Sequence, residues 1–140
     1  MKSLITKAMA LAGICTALVS FAAMPGGEGF EILLNNKVIV QKFGTDVTKT
    51  ESMVFSQQSP GDQLIVKYYH CGKAGKNRII AVKNDHDKIL KEFLYGDAST
   101  GAAGMSLKLK DIITLKKGNN PLKLFYSSSE LPNGRVLVSF

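Results

Sequence analysis

Short apolar runs alternate with turn residues along most of this chain, a rhythm that predicts an all-β protein. Phe30 to Leu34 and Lys37 to Phe43 flank Asn35-Asn36, a pair that tolerates positive φ and suits a tight hairpin. Ser52 to Ser56 reads as a weaker strand, and Ser59-Pro60-Gly61-Asp62 as a turn. Leu64 to Cys71 is the strongest strand, with Leu64, Val66 and Tyr68 on one face and Ile65, Lys67 and Tyr69 on the other. A Gly-Lys loop, Gly72 to Asn77, leads to Ile79 to Val82, whose continuous apolar run predicts a central strand.

Ile89 to Tyr95 carries two patterns. Ile89 and Phe93, and Leu90 and Leu94, are spaced by four as on a helix. The segment is short and sits among strands, so a strand is the preferred reading. Asp97 to Gly104 is small and polar, a loop. Ser106 to Lys110 alternates Leu107 and Leu109 with polar residues, and Leu122, Leu124 and Tyr126 alternate after Gly118-Asn119-Asn120. Pro132-Asn133-Gly134 turns the chain into a last strand, Arg135 to Phe140. The expected architecture is an antiparallel β-sandwich of about eight or nine short strands, immunoglobulin-like or jelly-roll-like, over residues 30–140. Most of the strands fall short of the ~9–11 residues a bilayer-spanning barrel strand needs, and lysines interrupt both faces, which disfavours an outer-membrane barrel.

The first 22 residues follow a different pattern. Lys2 and Lys7 precede an apolar stretch, Ala8 to Val19, and Ser20-Phe21-Ala22 supplies small residues where a signal peptidase reads. The expectation is a signal peptide over 1–22, cleaved near Ala22/Ala23, a linker over 23–29, and an exported protein, secreted or periplasmic. Ile14 before Cys15 disfavours lipid anchoring. No later segment approaches the ~18 consecutive apolar residues of a transmembrane helix.

Composition narrows this picture modestly. Removing the leader from 140 residues leaves 118, enough for one core without staples. The formal charge of +7 falls to about +5 with Lys2 and Lys7 gone. The lysines are scattered, which fits solubility better than a dedicated polyanion surface. Cys71 is the only cysteine beyond the leader, so no intrachain disulfide is expected. Its apolar flank predicts a shielded, inert thiol.

Candidate chemistry is sparse. Gly72 to Asn77 contains Gly75-Lys76, but the spacing is too short for a phosphate loop and Asn77 stands where Ser or Thr belongs. Asp85-His86-Asp87 reads as a turn rather than a metal site, because three adjacent residues cannot all face one ion. His70 and Cys71 are strand neighbours pointing to opposite faces, which makes His70 a poor base for that thiol. Ser127-Ser128-Ser129-Glu130 lacks the glycines of a nucleophile elbow. No catalytic residue, metal or cofactor is therefore assigned.

One constellation remains, in which Tyr69 would offer a flat face beside the cations Lys73, Lys76 and Arg78. The absence of tryptophan weakens a sugar-stacking role for it. The leading expectation is a non-catalytic exported module binding a surface ligand, either an anionic glycan or another extracytoplasmic protein, with no nucleic acid. The alternatives are an extracellular hydrolase with an unrecognised site and an assembly protein pairing through sheet edges.

Overall fold

The computed structural model describes residues 27–56, 59–101 and 103–140. The expected leader, its cleavage site and Cys15 lie outside the described residues. The described chain is mostly β and forms two sheets. Its strands are β1 (Glu28–Leu34), β2 (Lys37–Phe43), β3 (Glu51–Ser52), β4 (Gln63–His70), β5 (Arg78–Lys83), β6 (Ile89–Gly96), β7 (Met105–Lys108), β8 (Lys123–Ser127) and β9 (Arg135–Ser139). A 3-10 turn covers Gly44–Thr48, and one short helix, α1, covers Leu109–Ile113.

One sheet has the order β2-β1-β4-β7 and the other β3-β9-β8-β5-β6. Every pairing is antiparallel except β3 with β9, which is a two-residue parallel contact. Neither sheet closes on itself, so each keeps two edges. Alternation explains the core. Phe30 and Ile32 of β1 and Leu64, Val66 and Tyr68 of β4 share one buried cluster with Ile80 and Val82 of β5 and Leu124 and Tyr126 of β8. Asn35 and Asn36 both adopt positive φ, 49° and 68°, as the tight β1–β2 turn requires. The Asn35 side chain then ties this turn to β4, donating to Asp62 Oδ1 and accepting from the Gln63 amide, both at 3.0 Å.

Ile89–Gly96 is a strand, as preferred. Its four-residue spacing yields to pairing with β5, which sets Phe93 opposite the buried Ile80. Three expectations change. The weak strand at Ser52 to Ser56 shrinks to Glu51–Ser52. The strand expected over Ser106 to Lys110 stops at Lys108. There Leu109 and Ile112, three apart, turn into α1 and are both buried, an arrangement that continued alternation would not give. Cys71 is exposed, because the strand ends at His70 and Cys71 enters the following turn at φ 54°. No helix among the described residues is long and apolar enough to cross a membrane.

Candidate functional site

The four residues expected to form a ligand surface do not converge. Tyr69 faces the outer side of β4, where its ring lies 5.5 Å from that of Phe43. Burial and the neighbouring Glu31 raise its pKa. Lys73 pairs with His70 through an isolated antiparallel bridge, which sets it on the side of His70, opposite Tyr69. Lys76 is exposed, and its backbone amide donates to the Glu130 carboxylate. Arg78 is only 8% exposed. Its guanidinium donates to the carbonyls of Gly96 at 3.1 Å and Ala103 at 3.0 Å, so it clamps the loop after β6 instead of facing an anion. The signal for this lay in the sequence: Arg78 shares its strand face with Ile80 and Val82, both buried.

Sequence reasoning missed a polar and aromatic tier at one end of the two sheets. The ends of β1, β4, β8 and β9 meet there, since Glu28 pairs with His70 and Tyr126 with Arg135. Tyr68 and Tyr126 come from different sheets and stack with ring centroids 4.3 Å apart. The Tyr68 hydroxyl donates to Glu28 Oε1 at 2.6 Å and accepts from Arg135 Nε at 2.9 Å, while Arg135 Nη2 reaches the same Glu28 oxygen at 3.0 Å. His70 Nε2 lies 2.8 Å from the Tyr126 hydroxyl and 3.3 Å from Ser128 Oγ.

The tier's electrostatics follow from these contacts. The Tyr68 hydroxyl bond and Arg135 hold the Glu28 carboxyl below its usual range, against its partial burial. Burial, reinforced by the bond to Glu28, pushes the Tyr68 phenol well up. Burial lowers the pKa of His70, against the pull of Glu130 and Glu28. Neutral His70 offers one lone pair at Nε2, which the closer Tyr126 hydroxyl occupies when it donates, leaving Ser128 the longer contact. Outside the tier lies a cavity of about 390 Å³ lined by Glu28, His70, Cys71, Lys73, Glu130 and Leu131. Its acids are largely engaged by protein groups: Glu28 by Arg135 and Tyr68, and Glu130 by the Lys76 amide. Among the described residues, no group of three or more His, Cys, Asp or Glu is placed to hold a metal ion.

The opposite end of the second sheet is different in kind. β6 forms its edge, with β5 as its only strand neighbour among the described residues. It runs eight residues; of the other edges, β2 has seven, β7 four and β3 two, and β2 exposes one large apolar side chain, Val38, where β6 exposes three. Leu94 is 73% exposed, Ile89 48% and Leu90 37%. A strand edge of this length presents a row of backbone donors and acceptors, here accompanied by apolar side chains. At its start, a cleft of about 470 Å³ opens between the β5–β6 turn and the segment after α1. Leu90, Leu115 and Leu122 form its apolar lining, and Asn84, Asp85, His86, Thr114, Lys117 and Asn120 its polar one. Asn84 shapes the turn, its Oδ1 accepting the amides of His86 and Lys88 at 2.9 Å each. This places His86 and Asp85 at a turn, and it separates His86 from His70, which sits at the other end of the sheets.

In comparison with known proteins, the chain matches no family model and no curated sequence.

Proposed function

We propose that this chain is an exported, non-catalytic β-sandwich module that binds another extracytoplasmic protein at the open edge of β6. Two sheets sharing one buried cluster support the sandwich reading, and the short strands joined by tight turns fit an immunoglobulin-like or jelly-roll-like arrangement. Export rests on the basic, apolar and small-residue order of residues 1–22. One observation carries the binding reading: the exposed eight-residue edge with Ile89, Leu90 and Leu94 uncovered. A protein is favoured over an anionic glycan because Arg78 is withdrawn and Tyr69 rests against Phe43.

Site-specific photo-crosslinking in the organism that makes the protein tests this. A crosslinker replacing Leu94 should give a discrete protein adduct that one replacing Val38, exposed on the edge strand β2, does not give. Equal adducts at both positions, or none at Leu94, would reject the β6 edge as the binding surface.

A further inference from the structure

We infer that the occupant of the β6 edge is an extended segment of another protein in which apolar and acidic side chains alternate. This rests on the edge-binding reading above and adds the chemistry of the partner. Strand addition supplies main-chain hydrogen bonds along β6, and alternate side chains of the added strand then fall on one face. Two features of this chain select what those side chains are.

The first is the apolar content of the edge and its cleft. Leu94 and Leu90 lie along the strand, and Leu115 and Leu122 line the cleft at its start. Covering a side chain as exposed as Leu94 removes apolar surface from water and favours an apolar residue opposite it. The second is charge. The β5–β6 hairpin and the segment leading to β8, residues 83–96 and 114–123, carry Lys83, Lys88, Lys91, Lys116, Lys117 and Lys123. Against them stand Asp85, Asp87 and Glu92. Lys123 is taken by Asp87 at 3.0 Å, and Lys83 lies 3.4 Å from the centre of the Phe125 ring. Lys88, Lys91, Lys116 and Lys117 make no ion pair among the described residues; Lys91 lies 5.2 Å from the centre of the Phe93 ring, and Lys117 lines the cleft itself. A surface of this sign raises the local concentration of acidic segments and penalises basic ones. A second copy of this chain fits less well. Antiparallel self-addition centred on Lys91 or on Glu92 sets like charges directly opposite each other, and only the register centred on Leu90 pairs Glu92 with Lys88, leaving Lys91, Lys116 and Lys117 without an acidic partner from the second strand.

The test uses two capped heptapeptides, one alternating valine with glutamate and one alternating valine with lysine. Each is titrated into the isotopically labelled protein while backbone amide resonances are followed. The glutamate peptide should shift the amides of residues 89–96 and of Lys117, with an affinity at least about tenfold above that of the lysine peptide. The double variant K91E/K117E should narrow or invert that ratio without changing the circular dichroism of the free protein. If both peptides shift β6 equally, the acidic preference is wrong and the edge reading survives. If neither shifts β6, both fail. If the free protein dimerises and Leu94→Lys abolishes the dimer, the occupant is a second copy and the inference is overturned.

Discussion

Tyr68 of β4 stacks on Tyr126 of β8 across the gap between the sheets, their rings inclined by 17°. Each ring also carries a polar partner at its tip. Tyr68 meets Glu28 and Arg135, and Tyr126 meets His70. One end of the fold is thereby closed by groups that satisfy one another, while the edge of the second sheet at β6 leaves Ile89, Leu90 and Leu94 exposed.

The Tyr68 hydroxyl joins the N-terminal strand to the last one, linking Glu28 of β1 with Arg135 of β9. Tyr68→Phe keeps the stacked ring and removes both hydrogen bonds. It should destabilise the protein by about 1–2 kcal/mol, since the Glu28–Arg135 contact remains to share the loss. Urea unfolding should show a lower midpoint with an unchanged slope, and an unchanged midpoint would contradict this role.

His70 gives the tier a pH dependence with a defined sign. It is faced by Glu28 from β1, Tyr68 from β4, Tyr126 and Ser128 from β8 and its exit, and Glu130, with Cys71 and Lys73 beside it at the cavity. Burial sets its folded pKa below the ordinary value of about 6.5. The unfolded chain therefore binds the proton first as pH falls, and stability is lost as pH drops through about 6.5 towards the lower folded value. The lowered pKa of Glu28 acts in a more acidic window. Its contribution persists above the ordinary carboxylate range and disappears as pH falls through the folded value. Melting temperature should fall between pH 7.5 and 5.5, and His70→Gln should flatten that fall. An identical slope in the variant would remove His70 as its source.

Gly134 and Gly118 separate two effects of adding a side chain. Both have positive φ, 68° and 66°. A Cβ at Gly118 meets open space, so Gly118→Ala should cost only the backbone term of about 1–2 kcal/mol. A Cβ at Gly134 runs into the Phe125 ring and approaches the Tyr126 carbonyl oxygen to 2.8 Å. Gly134→Ala should therefore destabilise clearly more than Gly118→Ala by thermal unfolding. Equal effects would mean that the Phe125 contact yields freely.

Arg78 and Cys71 invert what their sequence neighbourhoods suggest. Arg78→Ala removes the buried guanidinium that donates to the Gly96 and Ala103 carbonyls and should lower stability by about 1–3 kcal/mol. Lys73→Ala and Lys76→Ala, at exposed positions, should change it by less than about 0.5 kcal/mol. Cys71 should react quickly with a thiol reagent in native buffer, because it is exposed.

Strand positions and facings were legible where alternation was regular. Tyr68 inward and Tyr69 outward follow directly from Leu64 and Val66, and the Asn35-Asn36 turn follows from residue type. Alternation failed at Leu109, because Leu107 and Leu109 fit a strand and only the burial of Ile112 reveals the helical turn. The strand ends at His70, one position before the apolar run suggests, and this turns the Cys71 thiol outward. The tier was not legible because its members are far apart in the sequence, with Glu28 and Arg135 separated by 107 positions. The sheet order that makes β6 an edge is also a long-range property, since β8 rather than a sequence neighbour covers the other side of β5.

The most direct test of the account is residue-resolved amide hydrogen exchange in the free protein. With β6 an open edge, amides of residues 89–96 should alternate between slow exchange, for those bonded to β5, and fast exchange, for those pointing outward, while β8 is slow throughout. Uniform protection along β6 would mean that the edge is already covered in the free protein and would contradict its assignment as the binding surface.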